Sequence, residues 1–337
     1  MILGNCDLEQ KRLLIAELGN NHEGDQALAM DMVTAAAESG ADAVKVQIID
    51  PEHLVHRSQT ERIAQLSRFR LPLATLVEMA TLARKQGMLF IASAFDVQSL
   101  KSIADHLAAI KIASGDLDFE PLLIQAAKLD KPIFLSTGMS TLDEITTAVN
   151  TIAKHLPTKR PLKDTLALLH CVSLYPVPLA QANLRAINTL HETFDLTVGY
   201  SDHVLGIQAS VTALALGARV IEKHFTLDKS RMTFRDHALS ADPTDLRQLS
   251  DVVHSFDEML GTGEKKLTDA ELQMAQAARR SIVAARDLDA GTRLTFDDLD
   301  YVRPRKGLSP TLATSLIGRI LKVPVKRHDL ILETSLE

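Results

Sequence analysis

A chain of 337 residues with a formal net charge of −6 and no basic block is a poor candidate for binding nucleic acid. Its 46% hydrophobic and 24% charged residues are typical of a soluble globular protein, and no apolar run approaches the roughly 18 residues of a membrane span. The two cysteines, Cys6 and Cys171, cannot form a disulfide framework, so we expect a reducing compartment and a cytoplasmic location. Cys171 ends an apolar run and is interpreted as a packed thiol, not a nucleophile.

Short apolar runs alternate with longer segments of helical period through the first three quarters of the chain. Strands are predicted at 13–18, 42–47, 89–93, 109–114, 132–137, 166–172, 196–201 and 219–225. Helices are predicted at 26–38, 74–86, 97–107, 119–128, 141–155, 183–193, 206–217 and 244–260. Eight strand–helix units predict an α/β fold, a (β/α)8 TIM barrel. A doubly wound open sheet is the alternative, but no G-x-G-x-x-G turn follows the first strand.

The pattern of apolar runs and turn residues changes after a predicted polar helix around 264–279. From Arg280 onward the apolar runs are short, and turn signals such as DAGT separate them. The predicted organisation is a catalytic barrel at 1–265, a linker at 266–279 and a small β-rich domain at 280–337.

Two histidines, His203 and His224, close two successive predicted strands. Neighbouring parallel strands would bring both imidazoles to the carboxyl edge of the barrel, where such folds keep their chemistry. With Asp202 and Glu222 nearby, the pair suits a divalent metal. The alternative is two unrelated histidines, one capping a turn and one stacked in the core.

Two lysines, Lys45 and Lys111, interrupt otherwise apolar strands. A lysine in that setting is costly unless it meets an anion, although a lysine that snorkels to the surface is the alternative. Lysines combined with strand-end hydroxyls would form a cradle for phosphate or carboxylate. Together with a metal they favour a lyase or carbon–carbon bond-forming enzyme acting on a phosphorylated acid, and a hydrolase stays open.

Eight motifs occur in a characteristic order: IAELGNNHEGD, AVKVQ, IKIASGD, LSTGMST, HCVSLYPVP, VGYSDHVLG, VIEKHFTLDK and DHALSADP. In this order they resemble the sialic acid synthase family, which includes N-acetylneuraminate, legionaminate and pseudaminate synthases and spore-coat polysaccharide homologues. The tail from Arg280 is similar to the C-terminal antifreeze-like module of that family, the SAF domain with its β-clip fold. The resemblance covers nearly the whole chain.

The resemblance implies a transferase that condenses phosphoenolpyruvate with an N-acyl mannosamine-type sugar and releases phosphate. It also implies a divalent ion, usually Mn²⁺ with Mg²⁺ or Co²⁺ as alternatives, held by the residues that match His203 and His224. The positions that match the phosphoenolpyruvate cradle are Lys45, Gln47, Lys111, Ser114, Ser136 and Ser201. Groups that hold the sugar, order water or move protons match Glu17, Tyr175, Glu222 and Asp236.

The chain departs from the family pattern at three places. Asp116 stands where the family often has glutamate, which keeps a catalytic carboxylate but shortens it by one methylene. Ser173 replaces an asparagine at a substrate-binding position, so an amide that donates and accepts is lost. Phe234 and Arg235 replace a glycine–proline pair and add bulk and charge near the expected sugar pocket. The reaction type is therefore better specified than the sugar.

The resemblance further implies a homodimer in which each SAF domain covers the barrel mouth of the partner. An arginine of that domain would reach the N-acyl group of the sugar. Arg303 is the candidate, and Arg305 is the second choice.

Three other functions compete with this interpretation. A legionaminate- or pseudaminate-type synthase would use a diacetylated 6-deoxy sugar. A synthase of a shorter 3-deoxy sugar acid would use a phosphorylated pentose or tetrose, but those relatives generally lack the SAF module. A non-catalytic paralogue that binds carbohydrate or serves in assembly would not need both histidines, both lysines and Glu17.

Overall fold

Parallel strands close into a barrel in the first three quarters of the chain. The computed structural model describes residues 1–4, 6–157, 160–230 and 236–337, and all the strands named here lie within them. Two short antiparallel strands, β1 (Ile2–Leu3) and β2 (Cys6–Asp7), come first. The eight barrel strands follow in chain order as β3 (Leu13–Gly19), β4 (Ala43–Ile48), β5 (Leu89–Ala94), β6 (Ala109–Ile112), β7 (Ile133–Ser136), β8 (Leu166–Cys171), β9 (Thr197–Asp202) and β10 (Val220–His224).

Each barrel strand pairs with the next, and β10 pairs with β3 to close the ring. The helices of this unit are α1 (Gln26–Glu38), α2 (Pro51–Leu54), α3 (Thr60–Ser67), α4 (Leu73–Lys85), α5 (Val97–Ile103), α6 (Glu120–Lys128), α7 (Leu142–His155), α8 (Ala186–Phe194), α9 (Gln208–Ala215), α10 (Asp236–Leu239) and α11 (Pro243–Leu260). The predicted TIM barrel is confirmed, and the predicted strands agree with the observed ones to within two residues at each end. The strands β1 and β2 and the helices α2, α3 and α10 were not predicted from the sequence.

Strand alternation sorts the side chains of the barrel into two apolar layers. On β3, Leu14 and Ala16 pack in the core between the strands and the helices, whereas Leu13 and Ile15 pack inside the barrel. The next inward position on β3 is Glu17. The interior is therefore apolar near the amino ends of the strands and becomes polar at their carboxyl ends.

The amino end of the barrel is closed by the start of the chain. Met1, Leu3 and Leu8 are buried and join the same apolar cluster as the inward residues of the strands. This cluster forms a floor beneath the polar end of the barrel.

The chain divides into two compact units, Met1–Leu260 and Gly261–Glu337. The second unit contains α12 (Asp269–Ala278), β11 (Ser281–Ala284), β12 (Leu299–Val302) and α13 (Ala313–Leu316), with β11 antiparallel to β12. The predicted linker at 266–279 thus contains α12, which begins with a capping box between Thr268 and Glu271. The unit has a buried apolar cluster of its own that includes Ile282, Leu288, Leu294, Leu316, Leu321 and Ile331. None of the described helices is long and apolar enough to span a bilayer.

Candidate active site

The carboxyl ends of the barrel strands surround a cavity of about 320 Å³. Every residue predicted for the site lines this cavity except Asp116 and Arg303. The predicted residues in its wall are Glu17, Lys45, Gln47, Lys111, Ser114, Ser136, Ser173, Tyr175, Ser201, His203, Glu222, His224 and Asp236. Those that lie on strands point into the cavity because side chains alternate along a strand, and they have the same inward orientation as the apolar layer inside the barrel below them.

A larger cavity, of about 690 Å³, lies near the amino ends of the strands, and its wall includes Lys11, Arg12, Asp42 and His254. Two of its charged groups are already satisfied, since Arg12 pairs with Asp257 at 2.9 Å and His254 meets Asp42 at 3.0 Å. Catalytic sites of this fold occupy the opposite, carboxyl end. Volume alone therefore does not identify the site.

A buried network joins the first, second and last strands of the barrel. The Nζ of Lys45 lies 2.8 Å from Oε2 of Glu17 and 3.5 Å from Oε1 of Glu222. Gln47 donates to Oε1 of Glu17 at 2.9 Å, and Ser201 donates to Oε1 of Glu222 at 2.9 Å. Closure of the barrel brings these groups together, since β10 and β4 flank β3.

The pKa values of the two carboxyl groups in this network are shifted in opposite directions. Burial raises the pKa of Glu17, and the neighbouring charge of Glu222 raises it further against the opposing effect of Lys45. Burial also disfavours the charged form of Glu222, but Lys45 and Lys111 outweigh it, so the pKa of Glu222 is lowered. The surroundings thus favour the protonated form of Glu17 and the ionised form of Glu222.

Lys111 is a buried cation with little compensation. Its Nζ donates to the carbonyl oxygen of Ile112 at 3.0 Å, and no described carboxylate forms a salt bridge with it. Burial lowers its pKa and the charge of Lys45 adds to this, whereas the charge of Glu222 opposes both without offsetting them. By contrast, Glu17 and Glu222 raise the pKa of Lys45 against the effect of its burial. Lys111 is therefore the group that gains most from an anionic ligand in the cavity.

Hydroxyl groups face the cavity beside Lys111. The Oγ of Ser136 is buried and has no hydrogen-bond partner among the described residues. The Oγ of Ser114 accepts the backbone N–H of Gly138 at 3.0 Å. A Cβ on Gly138 would lie 2.4 Å from Oγ of Ser173 and 2.8 Å from Oγ of Ser114, so glycine is required for both serines to approach this backbone. Hydroxyls and a lysine in the wall of one cavity can form an anion cradle.

The two predicted metal ligands lie side by side. The rings of His203 and His224 have centroids 5.2 Å apart and are tilted by 45°. The Nδ1 of His203 lies 3.2 Å from the carbonyl oxygen of Val172, which makes Nδ1 the donor and leaves Nε2 as the free acceptor. Burial lowers the pKa of His203 to about 4, so its imidazole is neutral at neutral pH.

Two imidazoles fit a divalent metal as protein ligands. The described residues contain no group of three or more His, Cys, Asp or Glu side chains arranged to hold a metal. A metal held by two protein side chains would have open coordination positions for water and substrate.

The residues expected to bind the sugar lie at the rim of the cavity. The ring of Tyr175 lies 4.3 Å from that of His203, centroid to centroid, and its side chain is partly exposed. Ser173 precedes it on the segment that follows β8, and Asp236 begins α10. Phe234 and Arg235, the third departure from the family pattern, lie outside the described residues.

Asp116 does not line the cavity, although the prediction placed it among the catalytic groups. It lies in the short turn after β6, where it is buried with its Oδ2 lacking a hydrogen bond among the described residues. Burial raises its pKa to about 6, partly opposed by Lys111. Its catalytic role stays a prediction.

The two candidate arginines of the second unit differ in their surroundings. Arg305 donates its Nε to the carbonyl oxygen of Arg280 at 2.8 Å, and its backbone N–H donates to Gln276 at 2.8 Å. Arg303 is exposed. Arg305 therefore holds the fold of its unit, and Arg303 is the better candidate for contact with another molecule.

The cavity wall also contains residues that were not predicted for the site, among them Arg62 and Cys171. Cys171 has the same inward phase on β8 as Leu169, and this phase is the signal that could have identified it. Its Sγ lies 3.7 Å from Nδ1 of His203, and burial raises the pKa of its thiol. It is a buried thiol, as predicted, but one in the wall of the site.

Comparison with known proteins identifies the family. Residues 32–265 match the NeuB family, and residues 279–337 match the SAF domain. An uncharacterised protein of Methanocaldococcus jannaschii is 40% identical over 94% of this chain and 92% of its own. The N,N'-diacetyllegionaminic acid synthase of Legionella pneumophila is 37% identical over 92% of this chain and 90% of its own. A crystal structure of N-acetylneuraminic acid synthetase from Leptospira borgpetersenii superposes with a TM-score of 0.74 at 33% identity, covering 81% of this chain and 94% of that one.

Proposed function

Because the chain belongs to the NeuB family of synthases and carries a C-terminal SAF domain, we propose that it condenses phosphoenolpyruvate with an N-acyl mannosamine-type sugar and releases phosphate. The observation that carries the proposal is the buried Lys111, which faces a hydroxyl-lined cavity without a salt-bridged carboxylate among the described residues. A ligand with both phosphate and carboxylate groups would satisfy it.

Phosphoenolpyruvate would occupy the deep part of the cavity. Its phosphate and carboxylate bring several negative charges, which Lys111 and Lys45 would neutralise. The unpartnered hydroxyl of Ser136 and the hydroxyls of Ser114 and Ser201 would supply hydrogen bonds. These groups come from strands or the residues just after them, so they are held rigidly around the enol ester.

The two carboxyl groups, with pKa values shifted in opposite directions, suit the proton movements of the reaction. When C3 of phosphoenolpyruvate bonds to the aldehyde carbon of the open-chain sugar, the aldehyde oxygen takes up a proton. The carboxyl of Glu17, with its raised pKa, would be the donor. Positive charge then develops at C2, where the ionised carboxylate of Glu222 would stabilise it. Water attacks C2 and gives up one proton, which would return to Glu17. The tetrahedral carbon then collapses to a ketone as the bond between C2 and the phosphate oxygen breaks, and the second proton of the water leaves with phosphate.

His203 and His224 would hold a divalent metal, with Mn²⁺ as the first choice and Mg²⁺ or Co²⁺ as alternatives. When bound, the metal supplies Lewis acidity towards the sugar aldehyde. The carbonyl of Val172 keeps the His203 ring in the tautomer that this role needs.

The acceptor sugar would lie at the rim, against Tyr175, Ser173 and Asp236. A second candidate is a diacetylated 6-deoxy sugar, as used for legionaminate or pseudaminate. The 37% identity with the Legionella enzyme favours it, and Ser173 leaves more room than the asparagine of sialic acid synthases.

The rim also supports the proposed homodimer. Met139, Leu174, Leu179 and Leu205 follow β7, β8 and β9, and all four expose their apolar side chains. Exposed apolar side chains grouped around a site mark a surface that another molecule covers. We propose that the SAF domain of the partner covers it and that Arg303 reaches the acyl group. The two free cysteines fit a cytoplasmic enzyme.

Phosphate release from phosphoenolpyruvate with Mn²⁺ tests the proposal. The acceptors are N-acetylmannosamine, the diacetylated 2,4-diamino-6-deoxy sugars and arabinose 5-phosphate, so the acceptor that supports release identifies the substrate. Lys111→Met should abolish release. Lys131→Met is the matched control, because Lys131 also donates to a backbone carbonyl, that of Leu107, and does not line the cavity. Equal activity of Lys111→Met and the wild type would refute the anion cradle.

A further inference from the structure

A second pair of charged residues lies directly behind the two histidines. Asp202 precedes His203, Lys223 precedes His224, and the strand register places Lys223 opposite Asp202. Neither lines the cavity, because strand alternation turns both side chains away from it. The side chains are 0% and 1% exposed, respectively, so this is a fully buried ion pair.

The pair holds the turn that carries His203. The Nζ of Lys223 lies 3.2 Å from Oδ2 of Asp202 and also donates to the carbonyl oxygen of Val204. Oδ1 of Asp202 accepts the backbone N–H of Val204 at 2.8 Å, and its Oδ2 accepts Oγ of Ser210 at 2.6 Å. Both backbone polar groups of Val204 are thus fixed by residues that adjoin the histidines in sequence.

Stability alone does not explain this arrangement. Burying two charges costs several kcal/mol per ion before their attraction is counted, and apolar residues of similar volume often replace such pairs without loss. An ion pair differs from apolar packing in its directionality, because it accepts one register and one orientation of the turn. The benefit therefore lies in geometry.

We propose that Asp202 and Lys223 are positioning residues that set the spacing of His203 and His224 for the divalent metal. The proposal rests on the metal site of the proposed function. Lys223 joins β10, which carries His224, to the turn after β9 that carries His203. The ring separation of 5.2 Å is the quantity that the ion pair fixes.

Mn²⁺ binding without substrates tests the proposal, measured by the electron paramagnetic resonance of free Mn²⁺. Lys223→Met should lower both the melting temperature and the Mn²⁺ affinity, the latter by roughly 10–100-fold as for other residues that orient metal ligands. The double variant Asp202→Asn with Lys223→Met removes both charges. It should recover melting temperature relative to Lys223→Met while keeping the weakened Mn²⁺ affinity.

A second ion pair provides the control. Arg12 and Asp257 join near the opposite end of the barrel, so Arg12→Met with Asp257→Asn should leave Mn²⁺ affinity unchanged. Wild-type Mn²⁺ affinity in the neutral Asp202–Lys223 double variant would overturn the positioning role and leave the proposed metal intact. Absence of Mn²⁺ binding by the wild type would overturn both.

Discussion

Replacement of Asp116 by asparagine should stabilise the protein in a pH-dependent way. Burial raises the pKa of this carboxyl from 3.8 to about 6, so the folded protein binds the proton more tightly than the unfolded chain. For an acid shifted upward, the wild type is most stable below about pH 3.8 and loses stability as the pH rises through about 6. Asparagine resembles the protonated carboxyl and does not carry this cost.

The size of the effect follows from the shift. About two pKa units at 1.36 kcal/mol each give an upper value of about 3 kcal/mol at pH 8. Some solvent reaches the carboxyl, which screens the effect, so we expect Asp116→Asn to raise the free energy of unfolding by about 1–3 kcal/mol at pH 8. The gain should shrink towards zero near pH 4.

Urea denaturation followed by circular dichroism at pH 8, 6 and 4.5 measures the effect. Glu38→Gln is the control, because it neutralises an exposed carboxylate on α1. A gain that does not vary with pH would contradict the raised pKa. Destabilisation at pH 8 would mean that the ionised form of Asp116 is bound by groups in the folded protein.

Three further substitutions test the site. Gly138→Ala places a Cβ 2.4 Å from Oγ of Ser173. The Michaelis constant for phosphoenolpyruvate should therefore rise about tenfold or more, while the circular dichroism spectrum stays unchanged. An unaltered Michaelis constant would mean that the anion binds elsewhere. His224→Ala should abolish phosphate release without unfolding the barrel, and wild-type turnover would disprove the metal assignment. Arg303→Ala should raise the Michaelis constant for the sugar alone, whereas Arg305→Ala should chiefly lower the melting temperature because Arg280 loses its donor; the reverse pattern would exchange their roles.

Much of this fold could be predicted from the sequence because local patterns carry it. The eight strands are short apolar runs, and the lysines that interrupt them mark the polar end of the barrel. The family resemblance could be recognised for the same reason, because most of its motifs contain the carboxyl end of a barrel strand. The helices α2 and α3 were missed because they are short, with four and eight residues, and lie on one long connection between β4 and α4.

The arrangement inside the site was harder to predict because it depends on long-range geometry. Glu17 and Glu222 share Lys45 only because the last strand pairs with the first, which no local pattern shows. Asp116 was assigned to the site from its motif, but in the turn after β6 it does not line the cavity. Cys171 was interpreted as a packed thiol because it ends an apolar run, and only the phase of β8 reveals its orientation.

Among the described residues, the apolar floor made by Met1, Leu3 and Leu8 closes the amino end of the barrel beneath the site, so ligands would reach the cavity from the carboxyl end of the strands. Two ligands that use the same opening would bind one behind the other. If phosphoenolpyruvate occupies the strand-borne cradle and the sugar occupies the rim, the deeper ligand must arrive first, and phosphate, produced at the bottom, must leave after the sugar acid clears the opening. We therefore expect ordered kinetics, with phosphate as a competitive inhibitor towards phosphoenolpyruvate.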